Sequence, residues 1–307
     1  MIELFKQRTK IDFVRWFTPC AILSTIMAVS VLVFLPSKLV YGVDFRGGAE
    51  IQVQFKEDVS LEKLRESLEE DQFKGVTVQT VGNPTDHEIL IKVQAEEEEL
   101  NPITAAIGVS LNKHFASAGP EIRQQDIVGP KAGEHLRISG ILAMAWALVA
   151  IMAYVAIRFQ FKFCVGAIVA TIHDCFTILA VYMLMGTEFT LQTVAALLTV
   201  IGYSVNDTVV IYDRIREHEA KYPGIPFKQH LNNALNETLS RTVLTATATM
   251  FVCIVMYFFG GIVLKDFFLA LIVGIISGCY STIFITSPIT LFFHNLQHPE
   301  EKKLAKA

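Results

Sequence analysis

Ser204-Val-Asn-Asp-Thr-Val-Val-Ile-Tyr-Asp-Arg-Ile-Arg-Glu217 begins inside a hydrophobic run and ends in a cluster of charges. The run extends from Phe189 to Tyr212, and about 20 largely apolar residues suffice to cross a bilayer. Asn206 and Asp207 nevertheless lie within it, and Asp213, Arg214, Arg216 and Glu217 follow directly. A carboxylate at the centre of a membrane helix costs at least ~2.5 kcal/mol, so it is retained for a reason: an ion or proton path, or a partner charge. Asp207 is therefore a candidate functional residue on physical grounds alone.

Working outward, the chain of 307 residues is 52% hydrophobic and 18% charged, which points away from a soluble globule. Six segments are long and apolar enough to span: Trp16–Leu35, Ile138–Ile157, Phe163–Met185, Phe189–Tyr212, Thr242–Leu264 and Phe267–Phe293. Four of them lack Asp, Glu, Lys and Arg altogether; the other two carry one carboxylate each, Asp174 and Asp207. The first segment follows basic residues, as a signal peptide would, but its apolar stretch is too long for one and no small-x-small site follows before Pro36. It is expected to be a retained anchor.

Basic residues set the orientation. Lys6, Arg8, Lys10 and Arg15 precede the first span, Arg158 and Lys162 follow the second, and Arg214, Arg216, Lys221 and Lys228 follow the fourth. Lys302, Lys303 and Lys306 close the chain, whereas the opposite short loops carry only Lys265. Both termini are thus expected to be cytoplasmic. The expected division is an N-terminus at 1–15, a first span at 16–40, an outer domain at 41–135, five spans at 136–293 and a tail at 294–307.

Between Tyr41 and His135 there are 18 Asp/Glu against 9 Lys/Arg, which excludes a nucleic-acid surface. All five cysteines lie in or beside spans, so no disulfide framework is implied. Ile51, Val53 and Phe55 alternate with polar residues as in a half-buried strand. Ser60 caps a helix with Leu61, Leu64 and Leu68 on one face. Strands are expected over Val76–Val81 and around Ile89, Ile91 and Val93, joined by a turn at Gly82-Asn83-Pro84. Asn101-Pro102 opens a second helix, and Glu121–Val128 reads as the last strand. The order β-α-β-β-α-β predicts a small ferredoxin-like α+β domain. The Glu96–Glu99 run reads as a solvated loop, and His87 and His114 as isolated surface histidines.

On the fourth span Gln192, Thr199, Asn206 and Asp213 recur every seven residues, a polar stripe that drifts only about 20° per heptad. Such a stripe is expected to face protein or water rather than lipid. Arg214 falls at the cytoplasmic rim, where a structural role suits it. Arg241, at the start of the fifth span and followed by Thr242, Thr245, Thr247 and Thr249, is either a positive-inside anchor or the partner of Asp207. His173 and Asp174 are adjacent in mid-span and fit either a proton relay or a helix-packing contact; Gly274, Ser277, Gly278, Ser281 and Thr282 read as packing surface.

Two Gly/Pro junctions flank the outer domain: Gly42-x-Asp44-Phe45-x-Gly47-Gly48 and Val128-Gly129-Pro130-x-x-Gly133. With His173-Asp174, the Asn206–Glu217 stretch and Ser240-Arg241-Thr242, they occur in the order and layout of the SecF family of protein-export membrane subunits, which the chain resembles over nearly its whole length. The sister SecD family usually reads Asp-Leu-Arg-Gly-Gly and has a larger outer domain; Arg46 is the one position that looks SecD-like. The resemblance implies a six-span α-helical half of an RND-type bundle in the bacterial inner membrane. It implies pairing with SecD and association with the SecYEG channel, with YajC and YidC as further partners and a translocating unfolded polypeptide as cargo. It also implies that Asp207 and Arg241, with Asn206 beside them, form the proton-coupling site, that the proton-motive force drives the work (sodium being the other candidate ion), and that there is neither a cofactor nor an enzymatic activity. An RND-type exporter of lipids or small hydrophobic molecules is the alternative. Such exporters have larger outer domains and a second six-span half in the same chain.

Overall fold

The computed structural model of the chain describes residues 9–81, 86–94, 100–159 and 161–298. The Gly82-Asn83-Pro84 turn, the Glu96–Glu99 run, Lys6, Arg8 and the terminal lysines lie outside the described residues. Six helical spans form the body: α1 (Phe17–Lys38), α5 (Pro130–Arg158), α6 (Phe161–Met185), α7 (Leu191–Lys221), α8 (Phe227–Phe259), and a sixth composed of α9 (Ile262–Ser281), a π turn (Thr282–Thr286) and α10 (Ser287–Gln297). The other elements, in chain order, are β1 (Val40–Tyr41), α2 (Val43–Arg46), β2 (Gly48–Gln54), α3 (Leu61–Glu70), β3 (Lys74–Val81), β4 (Glu88–Gln94), α4 (Leu100–Phe115), β5 (Glu121–Val128) and β6 (Glu188–Phe189).

Several boundaries differ from those expected. The fifth span ends at Phe259 rather than Leu264, because Gly261 adopts φ +81° and Ile262 already begins α9. Its helix also starts at Phe227, well before Thr242, since His230, Leu231, Ala234, Leu235 and Thr238 bury one face of an amphipathic extension that hydropathy alone misses. The second helix starts at Pro130, inside the segment assigned to the outer domain, with proline at its first position. The fourth continues past Tyr212 to Lys221, and the last runs into the expected tail, to Gln297. In the domain, Ser60 sits at the N-cap position without a side-chain cap, and α4 starts one residue before Asn101.

The α+β domain is ferredoxin-like. Its antiparallel sheet has the order β3-β4-β2-β5, and α3 and α4 pack on one face. Ile51, Val53, Ile91, Leu64, Leu68, Ile107 and Leu111 fill that core. His114 is not isolated: with Ser110 and Lys113 it binds Asp71, tying α4 to the end of α3. The Lys113 and Ser110 bonds hold the Asp71 carboxyl down at about 2.

The opposite, polar face of the sheet looks onto the helix ends. Lys92 on β4 reaches Glu188, in the connection between α6 and α7, at 2.7 Å and Glu50 at 3.7 Å. Burial pushes the Glu50 carboxyl above its ordinary range while Lys92 pulls it back. The two Gly/Pro junctions meet here. A Cβ on Gly47, which has φ +80°, would lie 2.8 Å from Pro130 Cα; one on Gly133 would lie 3.2 Å from Asp44 O.

Candidate functional site

Helix α7 is clamped at its domain end. Thr190 and Thr193 form a reciprocal capping box, and Asp44 Oδ2 accepts a 2.8 Å hydrogen bond from Leu191 N–H. Asp44 reaches that position because β1 pairs in parallel with β6 and Gly42 N–H donates to Phe189 O, while Phe45 stacks on Phe189. The glycine motif therefore joins the end of the first span, the sheet and the head of the fourth span. The sequence pointed to close backbone approach here but not to the cap.

Further along the same helix, Asp207 is only 4% exposed, whereas Asn206 is exposed. The cation acting on Asp207 is Arg241 of α8, across the α7–α8 contact; the two interact without a direct ion pair. Arg241, Asn206 and Thr199 are exposed at the bundle surface, at the depth of membrane spans. Bilayer hydrocarbon cannot solvate such groups, so this face needs protein or water against it. The arrangement is a buried carboxylate with a nearby, unlocked guanidinium at the edge of a polar stripe.

Of the two forms expected for His173 and Asp174, Asp174 makes the helix-packing contact. Asp174 is fully buried and accepts hydrogen bonds from Ser204 of α7 at 2.6 Å and from Ser277 and Ser281 of α9 at 2.6 and 2.9 Å. The two α9 serines are thus hydrogen-bond donors as well as packing surface. Gly274 does serve close packing: a Cβ there would come within 2.3 Å of Val200.

At the end away from the domain the charged cluster is structural. Asp213 pairs with Arg158 at 2.8 Å, and Arg214 holds Glu217 and Glu237, which also contacts His218. Asn232 and Asn236 of α8 bind the backbone of Ile11 and Phe13, a clamp on the segment before the first span that the sequence did not suggest. Gly129 and Pro130 belong to the domain junction. Among the described residues no group of three or more His, Cys, Asp or Glu is arranged to hold a metal.

Six spans, one small ferredoxin-like domain after the first and a charged site on the fourth define a multi-pass membrane protein built as one half of an RND-type bundle. The SecD/SecF C-terminal export-protein family matches residues 109–296 and its GG motif residues 37–59. The SecF translocase subunit of Thermodesulfovibrio yellowstonii is 37% identical over 92% of this chain and 95% of its own length. That of Helicobacter pylori strain 26695 is 35% identical over 100% of this chain and 95% of its own. The crystal structure of SecDF, a translocon-associated membrane protein from Thermus thermophilus, superimposes with a TM-score of 0.82 at 33% identity; the match covers 96% of this chain and 40% of that one. The chain belongs to the SecF family of protein translocase subunits. Its relatives are translocase subunits, which favours the export reading over the lipid-exporter alternative.

Proposed function

We propose that this subunit converts the proton-motive force into work on exported polypeptides, with Asp207 as the titrating group and Arg241 as its movable counter-charge. The single observation that carries the reading is Asp207, buried beside an arginine with which it forms no direct pair, on the edge of an exposed polar face inside the membrane. Burial favours the neutral acid and a near guanidinium favours the carboxylate, so moving Arg241 changes the proton affinity of the site. One charge crossing about 100 mV supplies about 2.3 kcal/mol. That is enough to bias a helix rearrangement when several protons are used.

The partner that covers the exposed face is a SecD subunit, which contributes a further intramembrane acid. Support comes from the relatives called SecDF, in which a chain of this kind is part of a longer polypeptide. The complex works with the SecYEG channel, and with YajC and YidC, in the bacterial inner membrane. Both termini are cytoplasmic and the α+β domain lies outside, on the distribution of basic residues. Movement of α7 reaches the domain through the Asp44 cap and the Lys92–Glu188 pair. We assign the subunit no enzymatic step and no cofactor; protons are the coupling ion, and sodium is the competitor to be tested.

In vesicles containing the whole translocase, Asp207→Asn is expected to abolish gradient-dependent export while assembly with the SecD partner remains normal. Full export by that variant at normal levels would overturn the proposal. Export that survives collapse of the proton gradient but fails on removal of sodium would reassign the ion.

A further inference from the structure

We propose that Asp174 is a second proton-binding carboxylate, separate from Asp207, and that its protonation rearranges the hydroxyl cage joining α6, α7 and α9. The inference deepens the proton-coupling reading above, but its test does not depend on export.

The site is built inside the subunit. Asp174 is 0% exposed and makes no ion pair with lysine or arginine among the described residues, so no cation is fixed beside it. A buried charge needs either a partner or neutralisation. Three serine hydroxyls converge on the carboxylate. Two of them have a second acceptor within reach: Ser277 lies 3.1 Å from Thr177 Oγ1, and Ser281 lies 3.2 Å from Gly278 O. Each of those hydroxyls can therefore turn away without leaving a buried donor unpaired, as a cage with two states requires.

A second, independent observation points at the same carboxylate. His173 is 8% exposed, and its Nδ1 is buried with no hydrogen-bond partner, 3.7 Å from Asp174 Oδ1. His173 also lines a groove of about 550 Å³ between α1, α6 and α10, which Ser24 and Thr25 share. Asp174 is not among the residues lining that groove, which are otherwise mostly apolar, and in the proposal the adjacent imidazole hands the proton to it. In the proposed step a protonated His173 ring turns to bring Nδ1 from 3.7 Å into hydrogen-bond range, the Nδ1–H bond breaks and O–H forms at Oδ1. Imidazolium and carboxylate become neutral imidazole and neutral acid. The new O–H donates to Ser277 Oγ, whose own hydrogen turns to Thr177. The π turn at Thr282–Thr286 begins directly after Ser281, and such turns concentrate at functional positions.

The titratable groups facing the site are His173 and Cys175 on α6, Asp207 one turn beyond Ser204 on α7, Cys279 and Tyr280 on α9, and Cys20 of α1, next to Tyr280. Because Ser204 precedes Asp207 on one helix, the cage holds the helix on which the first site moves.

The test is pH-difference infrared spectroscopy of the full chain with its SecD partner in lipid vesicles, in an Asp207→Asn background that removes the other acid. A protonated-carboxyl band is expected on acidification and should be lost in Asp207→Asn/Asp174→Asn. Ser277→Ala keeps the carboxylate but removes a hydrogen bond to its charged form, so the pH of band formation should rise by about one unit or more. Identical difference spectra with and without Asp174 would overturn the proposal. If Asp174→Asn does not accumulate, an unchanged band in Ser277→Ala would overturn it equally. Failure of the first proposal is read separately, as gradient-dependent export by Asp207→Asn alone.

Discussion

Gly133→Ala tests whether the glycines at the domain–membrane junction are required by packing. Gly133 lies in the first turn of α5, where alanine should help by up to about 1 kcal/mol if nothing stood in the way. Its added Cβ would instead meet Asp44 O, Gly47 N and Phe45 C, each at 3.2 Å. All three are backbone atoms of a segment pinned by the Asp44 cap and the β1–β6 pairing, so they cannot yield as a side chain tip would. Overpacking of this kind costs about 1–3 kcal/mol. Gly202 supplies the control: it is helical, with nothing within 4 Å of its Cβ position. Gly133→Ala should therefore unfold about 1–3 kcal/mol earlier than Gly202→Ala, a gap of about 2–4 °C per kcal/mol in a thermal melt in detergent. Gly47→Ala should be worse than either, because it adds backbone strain of about 1–3 kcal/mol at φ +80° to a 2.8 Å contact with Pro130. A Gly133→Ala protein as stable as Gly202→Ala would refute the packing argument and leave the motif's glycines as hinges.

Other outcomes follow from the same contacts. Asp44→Ala removes the cap on Leu191 and should cost about 1 kcal/mol, seen as faster amide exchange at the start of α7. Lys92→Met leaves Glu50 and Glu188 facing each other without their cation; the lost charged hydrogen bond should cost about 1.5–3 kcal/mol and loosen the domain on the helix ends, measured by proteolysis of the α6–α7 connection. For Asp71 the folded pKa, about 2, lies below its ordinary 3.8, so its contribution is present above about pH 3.8 and is lost as pH falls toward 2. Amide exchange in α4 should accelerate over that window in the wild type, and much less in Lys113→Met.

The parts of the fold that follow from one-dimensional periodicity were legible. Continuous apolar runs gave six spans, and alternation of Ile51, Val53 and Phe55 with polar residues gave a half-buried strand. What periodicity missed was set by contacts distant in sequence. The helix break at Gly260-Gly261 is hidden in an apolar run because hydropathy does not register φ. The polar stripe was expected to face protein or water, and its Asn206 and Thr199 lie exposed on the bundle surface. Ser277 and Ser281 looked like small packing residues. Only their approach to Asp174, about a hundred residues earlier, makes them donors. A signal was present in the four-residue spacing, which puts two hydroxyls on one helix face opposite a span with an unexplained acid.

Helix α7 brings these observations into one mechanical argument. Its inner face is bound through Ser204 to a carboxylate in the core, its edge carries Asp207, and its outward face exposes Asn206 and Thr199. Its head is capped by Asp44, three residues from the first span's exit strand and four from the domain's first strand. A rotation of this helix that brought Asp207 toward or away from Arg241 would break either the serine cage or the Asp44 cap, since both bind it with short hydrogen bonds. Charged-group hydrogen bonds of this sort are worth about 1.5–3 kcal/mol each, similar to the ~2.3 kcal/mol that one charge gains across 100 mV. On the proposed coupling, the gain from one charge is about equal to one of these contacts, so releasing both the serine cage and the Asp44 cap takes more than one charge.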